Sequence, residues 1–166
     1  MSAVVVAVRP ARPGDEAQIW GLIQGLAASE GLEHELDGNP EALARAVFAP
    51  APIAFSLVAE EGGALVGYAM GYPTFDSYTP GASVLFLSDL FVCSARRGAG
   101  IGRALLAAMA RLAVARGALR LEWDVIRHNT AALAFYRRAG AEDDPVWCRQ
   151  RLAGPALAAL AEEAAR

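Results

Sequence analysis

Arg96-Arg97-Gly98-Ala99-Gly100-Ile101-Gly102-Arg103 stands between an apolar run, Val84 to Cys93, and a stretch from about Gly100 to Ala115 that carries Leu105, Leu106, Met109 and Leu112 at helical spacing. The order is strand, glycine-rich turn, long helix. Glycines at 98, 100 and 102 let the backbone turn tightly and approach a ligand without a Cβ in the way, while the helix start offers unpaired N–H groups. Together these features suit an anion, and phosphate is the natural occupant. Glycine-rich helix starts also serve as purely structural turns, and the residue types alone leave both uses open. Two phosphate motifs are excluded: Lys-Ser/Thr is missing, so this is no P-loop, and the third glycine comes one position too early for G-x-G-x-x-G.

Working outward, Val4 to Val8 reads as a strand that Pro10, Pro13 and Gly14 break before a helix starts near Asp15, the expected N-cap. Ile19, Leu22, Ile23 and Leu26 give that helix one apolar face as far as about Ser29. Acidic residues then lead to Asn39-Pro40, an N-cap followed by proline, and a short helix through about Phe48. Ile53 to Glu60 and Ala64 to Tyr72 flank Glu61-Gly62-Gly63 and read as a hairpin, followed by a turn-rich loop from Pro73 to Gly81. Beyond the central helix, Leu119 to Val125 reads as a strand and Asn129 to Ala139 as a helix ending at Gly140. Pro145 to Leu152 reads as a last strand and Gly154 to Arg166 as an alanine-rich last helix. The predicted order β-α-α-β-β-β-α-β-α-β-α implies a mixed sheet with helices on both faces. No linker or repeat interrupts it, so residues 1–166 are expected to form a single domain.

Composition excludes other classes. Hydrophobic residues are 55% and charged residues 20%, which argues for a packed globule and against disorder. A net charge of -3 lacks the basic face that sequence-independent phosphate binding needs, so no nucleic-acid partner is expected. Val84 to Val92 is far shorter than the ~20 apolar residues of a membrane span, and the N-terminus lacks the basic region of a signal peptide. A cytoplasmic protein without membrane association is expected. Cys93 and Cys148 form neither a CxxC nor a His-linked pattern, so no metal site is expected. All 15 basic residues are arginine, and the chain has no lysine.

Arg97-Gly98-Ala99-Gly100-Ile101-Gly102 also matches Arg/Gln-x-x-Gly-x-Gly/Ala, the pyrophosphate-binding signature of the GNAT N-acetyltransferase superfamily. Leu87-Ser88-Asp89-Leu90-Phe91-Val92 resembles the Leu-Glu-Asp-Leu/Phe-Phe-Val of the spermidine/spermine (diamine) and thialysine N-acetyltransferase branch. Leu121-Glu122-Trp123, Asn129, Ala132, Phe135-Tyr136, Gly140-Ala141 and Trp147 extend the likeness over roughly residues 20 to 160. The resemblance implies an α/β fold of the α+β type, with a mostly antiparallel central sheet of about 6–7 strands splayed in the middle. It implies acetyl-CoA as co-substrate and no metal. The strand before the motif would splay from its neighbour at a bulge, and Leu90, Phe91 and Val92 there would offer backbone groups to the pantetheine arm. Gly98, Ala99, Gly100, Ile101, Gly102 and Arg103 would hold the pyrophosphate through their amides, with Arg97 and Arg103 adding charge. Asn129 would contact pantetheine, or serve simply as a helix cap.

The resemblance makes Tyr136 the expected general acid. Amine attack on a thioester expels a thiolate, and a thiol pKa of about 8.5 makes protonation helpful at neutral pH. Most Phe-Tyr pairs on helices are core packing; the family's Asn-x6-Tyr spacing, met by Asn129 and Tyr136, favours the catalytic role. Ser88 departs from the family, whose glutamate at that position can accept the ammonium proton. Strand alternation puts Asp89 on the other side, leaving Glu122 or Asp124 through water, or an amine that arrives neutral. Glu30 and Glu33 match acceptor-groove positions of the branch, and Asp76 does so only with an insertion. A plain solvated acidic loop accounts for the same charges. The implied function is acetyl transfer to a primary amine of a small cationic molecule, in a homodimer. The alternatives are acetylation of a protein N-terminus or lysine, and a non-catalytic acyl-CoA-binding module.

Overall fold

The structure is a computed structural model that describes residues 6–78 and 83–163. Its described residues fall into two compact units, one within Met1–Ile126 and one within Arg127–Arg166.

The first unit is built on one five-stranded sheet in the order β1 (Ala7–Pro10), β2 (Phe55–Glu61), β3 (Ala64–Phe75), β4 (Ser83–Val92) and β5 (Arg120–Glu122). The first four strands pair antiparallel, and β5 joins β4 in parallel. This is the expected mixed, mostly antiparallel sheet, with five strands among the described residues in place of 6–7. The first strand lies two to three residues later than expected, and Val4 and Val5 lie outside the described residues.

The hairpin between β2 and β3 closes as expected. Glu61 faces Ala64, and Gly62 and Gly63 take φ of 59° and 85°, the pair of positive values a tight two-residue turn requires. Strand β3 runs on to Phe75 in what had the look of a loop. Pro73 is accommodated because β2 pairs with β3 only as far as Gly71, so beyond that point one edge of β3 needs no N–H.

Helix α1 (Glu16–Glu30) and α2 (Pro40–Phe48) cover one face of the sheet. Ile19, Leu22 and Leu43 pack there against Val58, Tyr68 and Phe91. Helix α3 (Ile101–Ala115) covers the other face with Leu105 and Met109, both 0% exposed. Its approach is close: a Cβ on Gly71 would lie 2.9 Å from Met109 Cε. Asn39 caps α2 as expected, its Oδ1 accepting the Ala42 N–H at 2.8 Å. Asp15 holds the N-cap position of α1 but makes no side-chain cap. Its carboxylate accepts instead from Arg9 and from the Arg12 amide.

The second unit holds α4 (Thr130–Arg138) and α5 (Gly154–Glu163). The strand expected at Pro145 to Leu152 does not form. Asp144 Oδ1 accepts the N–H groups of Val146 and Trp147 at 2.8 and 3.3 Å, and a local turn of this kind uses the donors a ladder would need.

Candidate active site

The glycine-rich turn lies where β4 hands over to α3. Gly98 and Gly100 take φ of 81° and 79°, which a side chain would strain, and Gly100 is the N-cap of α3. A Cβ at either glycine would meet nothing within 4 Å, so open space adjoins the backbone. The first intrahelical bond is donated by Ala104 to Gly100 O, so the amides of Ile101, Gly102 and Arg103 precede the ladder and are the free donors of the helix end. With a positive dipole end and arginine nearby, this cradle suits a pyrophosphate. Ala99 and Arg103 are exposed. Arg97 is also exposed but folded back: its Nε donates to Val92 O at 3.1 Å and its guanidinium lies 5.4 Å from the Phe91 ring centre. Arg96 is anchored to Glu61.

Strand β4 changes character along its length. It pairs with β3 from Ser83 to Val92, but β5 accompanies it only from Val84 to Phe86. From Leu87 onward its second edge is without β5, and Leu90, Phe91 and Val92 lie on this splayed stretch. The ladder to β3 also slips there: Met70 faces Asp89 while Gly71 faces Leu87, so Ser88 is an extra, bulged residue. Its hydroxyl donates to Met70 O at 3.2 Å.

That bulge corrects the placement of Asp89. Alternation counted from Ser88 assigned it to the side away from the acceptor, but an inserted residue breaks the count. Asp89 lines an open pocket of about 160 Å³ under α1, together with Ile23, Leu26, Glu30, Leu36 and Tyr68. Burial, opposed by the Tyr68 hydroxyl and reinforced by the charge of Glu30, pushes its carboxyl up to about 6. Burial also raises Glu30. Tyr68 is 0% exposed, and burial followed by the Asp89 charge pushes its phenol upward. Its hydroxyl faces Asp89 without a well-formed hydrogen bond and has no other partner among the described residues.

The other expected acceptor residues stand apart from this pocket. Glu33 is exposed on the short helical turn Glu33–Glu35, and Glu35, not Glu33, contributes to the lining. Asp76 forms an ion pair with Arg120 at 2.8 Å, and Arg120 also holds Glu122. Tyr68 carries no signal in linear sequence, and Asp89, which matches the Asp of Leu-Glu-Asp-Leu/Phe-Phe-Val, was assigned to the wrong side; only the bulge and the packing of α1 bring the two together.

In the second unit, Asn129 caps α4, its Oδ1 accepting the Ala132 N–H at 3.1 Å. The cap leaves the side-chain NH2 able to donate elsewhere. Tyr136 lies two turns along the same helix, partly buried, with its ring edge-on to Phe135 at 5.1 Å. Among the described residues no three His, Cys, Asp or Glu side chains are grouped to hold a metal, and no helix is long and apolar enough to cross a membrane.

Comparison with known proteins identifies the family. Residues 19–141 match the acetyltransferase (GNAT) family. The thialysine N-epsilon-acetyltransferase of Mus musculus is 32% identical over 165 residues, covering 93% of this chain and 96% of that protein. The spermidine/spermine N(1)-acetyltransferase-like protein 1 of Homo sapiens is 33% identical over 143 residues, covering 82% of this chain but only 20% of its own length. An integron cassette protein from the mobile metagenome of V. cholerae shares the fold, with a TM-score of 0.79 at 24% identity over 96% of this chain and 99% of that one. The glycine turn, the splayed part of β4 and Asn129 to Tyr136 all lie within the matched residues, and the chain belongs to the GNAT acetyltransferases.

Proposed function

We propose that this acetyltransferase moves the acetyl group of acetyl-CoA to a primary amine of a small cationic molecule. The observation that carries the proposal is the junction of β4 and α3, where a strand edge freed of β5 leads directly into a glycine cradle. Backbone groups of Leu90, Phe91 and Val92 would run along the pantetheine arm as another strand does. Amides of Gly98 to Arg103 would hold the pyrophosphate, with Arg97 swinging from Val92 O to add charge. Asn129 would use its free side-chain NH2 on the pantetheine. Open space at Gly98 and Gly100 fits such a ligand, since a Cβ would intrude on it. Acetyl-CoA supplies the activated thioester; the chain supplies position and proton control.

Tyr136 is assigned as the acid that protonates the departing sulfur. The acceptor would enter where α1 and the following turn carry carboxylates: Glu30 lines the pocket, Glu33 would act from the exposed turn after α1, and Asp76 would contribute only after releasing Arg120. An apolar pocket with carboxylates suits an alkyl-ammonium better than the backbone of a folded protein. One relative is named as an acetyltransferase of thialysine, an amine of this kind, and another for its likeness to spermidine/spermine acetyltransferase, which supports the choice.

The test joins binding to product detection. Acetyl-CoA should raise the melting temperature, because the cradle exists only in the folded state, and Gly100→Val should remove the shift. Mass spectrometry with acetyl-CoA and an amine library should show products 42 Da heavier among diamines and amino-acid-like amines, taking ~42 as the mass an acetyl group adds. Absence of any shift at millimolar acetyl-CoA would defeat the cofactor assignment, and acetylation of peptides alone would defeat the small-amine assignment.

A further inference from the structure

We infer that Asp89, backed by the buried Tyr68 hydroxyl, is the carboxylate that binds the acceptor's ammonium group and removes its proton. This rests on the acetyl-transfer function proposed above and names the base that Ser88 cannot provide.

Three observations converge. The pocket that Asp89 lines pairs an apolar wall from Ile23, Leu26 and Leu36 with acidic groups, the complement of an alkyl stem ending in a cation. Neither Asp89 nor Glu30 pairs with an arginine or histidine among the described residues, so no protein cation neutralises them. The Tyr68 hydroxyl is fully buried, borders the pocket and lacks a well-formed hydrogen bond, a state that costs free energy unless something completes it. An ammonium seated at Asp89 completes the set: the cation donates to the carboxylate, and the phenol donates to the carboxylate's other lone pairs. The bulge is what turns this corner of β4 into the pocket.

The step balances without any further reactant. One proton passes from R–NH3+ to an Asp89 oxygen, leaving a nitrogen lone pair. That pair forms the C–N bond to the acetyl carbonyl carbon, and the C–S bond breaks with its electrons going to sulfur. The nitrogen then loses a second proton, matched by the one sulfur takes up, and Asp89 returns its own to water. A carboxyl held near neutrality is better matched to this work than an ordinary aspartate. The titratable groups facing Asp89 are Tyr68 from β3, Glu30 from α1 and Glu35 from the turn that follows. Glu30 and Tyr68 act on it in opposite directions.

Propylamine and 2,2,2-trifluoroethylamine, similar in length but very different in basicity, separate base catalysis from packing. Asp89→Asn should lower kcat/KM for propylamine by about 10²-fold or more, yet affect the largely neutral trifluoroethylamine less than ~10-fold at pH 8. Tyr68→Phe removes the donor that favours the Asp89 anion, so the acid limb of the kcat/KM profile for propylamine should move to higher pH. Equal losses on both amines, unchanged turnover in Asp89→Asn, or an unmoved acid limb in Tyr68→Phe would overturn the assignment. Should wild-type protein bind acetyl-CoA but acetylate neither amine, the small-amine function fails separately. Propylammonium binding, read as a melting shift, then decides: loss of the shift in Asp89→Asn upholds the site, and an equal shift in both proteins refutes it.

Discussion

Asp89 illustrates how a functional residue is held against the stability of the fold. Its folded pKa, about 6, lies above the ~3.9 of an unfolded aspartate, so the folded state favours the protonated form. The sign follows directly: no penalty exists below about pH 4, and one accumulates as pH rises through 6. Two units correspond to just under ~3 kcal/mol, and solvent at the pocket's open side reduces this toward about 2. Asp89→Asn should therefore raise the melting temperature of the ligand-free protein at pH 8 and leave it nearly unchanged at pH 4. Melting curves at the two pH values check this, and a destabilised variant at pH 8 would contradict it. Tyr136→Phe tests the other end of the reaction. Loss of the phenolic proton should lower kcat by about 10²-fold while acetyl-CoA binding stays within a few-fold, as measured by steady-state kinetics and calorimetry. Unchanged turnover would make Tyr136 a packing residue against Phe135.

At the scale of elements, the start of α1 is tied to two strands by one arginine. Arg9 Nη1 lies 2.7 Å from Asp15, its Nη2 3.1 Å from the same carboxylate, and its Nε 2.6 Å from Glu60. The Arg9 hydrogen bonds hold the Asp15 carboxyl below its usual range, so this stabilisation is present above the unfolded pKa and disappears as pH falls through the folded one. Asp15→Ala should cost about 2 kcal/mol at pH 7, because Arg9 and the Arg12 amide lose a charged acceptor, and the gap to wild type should narrow as pH falls below the ordinary aspartate range. Urea titrations across pH measure both effects. What could be read from sequence sorts along the same lines. The Gly62-Gly63 turn, the Asn39-Pro40 helix start and the β4-to-α3 glycine stretch were legible because local backbone chemistry dictates each of them. The resemblance implied a bulge where β4 splays, but its position at Ser88 was not legible, since an extra residue is defined by the partner strand, and with it went the location of Asp89. The missing strand at Pro145 to Leu152 is the same kind of failure: apolar alternation was present, but Asp144 claims the amides first. Pro73 misled in the opposite sense, marking a break where the free edge of β3 tolerates it.

For the whole molecule, the second unit raises the question of what its apolar side chains are for. Val146 is 76% exposed, Trp147 70%, Leu157 51% and Leu160 54%, and α5 buries none of its residues. Isolated exposed leucines are ordinary, but a tryptophan, a valine and two leucines exposed within 15 positions of one short unit amount to more than scatter. Another copy of the chain is the occupant that the family likeness implies, and a two-fold pair would cover the same side chains on both subunits at once. The expected outcome is a homodimer: light scattering at micromolar concentration should give twice the mass of one chain. Replacing Trp147, Leu157 and Leu160 together with serine should return the mass to that of a single chain. Melting of the unaltered protein should also rise with concentration, as it must when folding and association are linked. A single-chain mass for the unaltered protein across that range would assign these side chains to some other contact, leaving the pocket at Asp89 and the cradle at Gly100, which both lie within the first unit, unaffected.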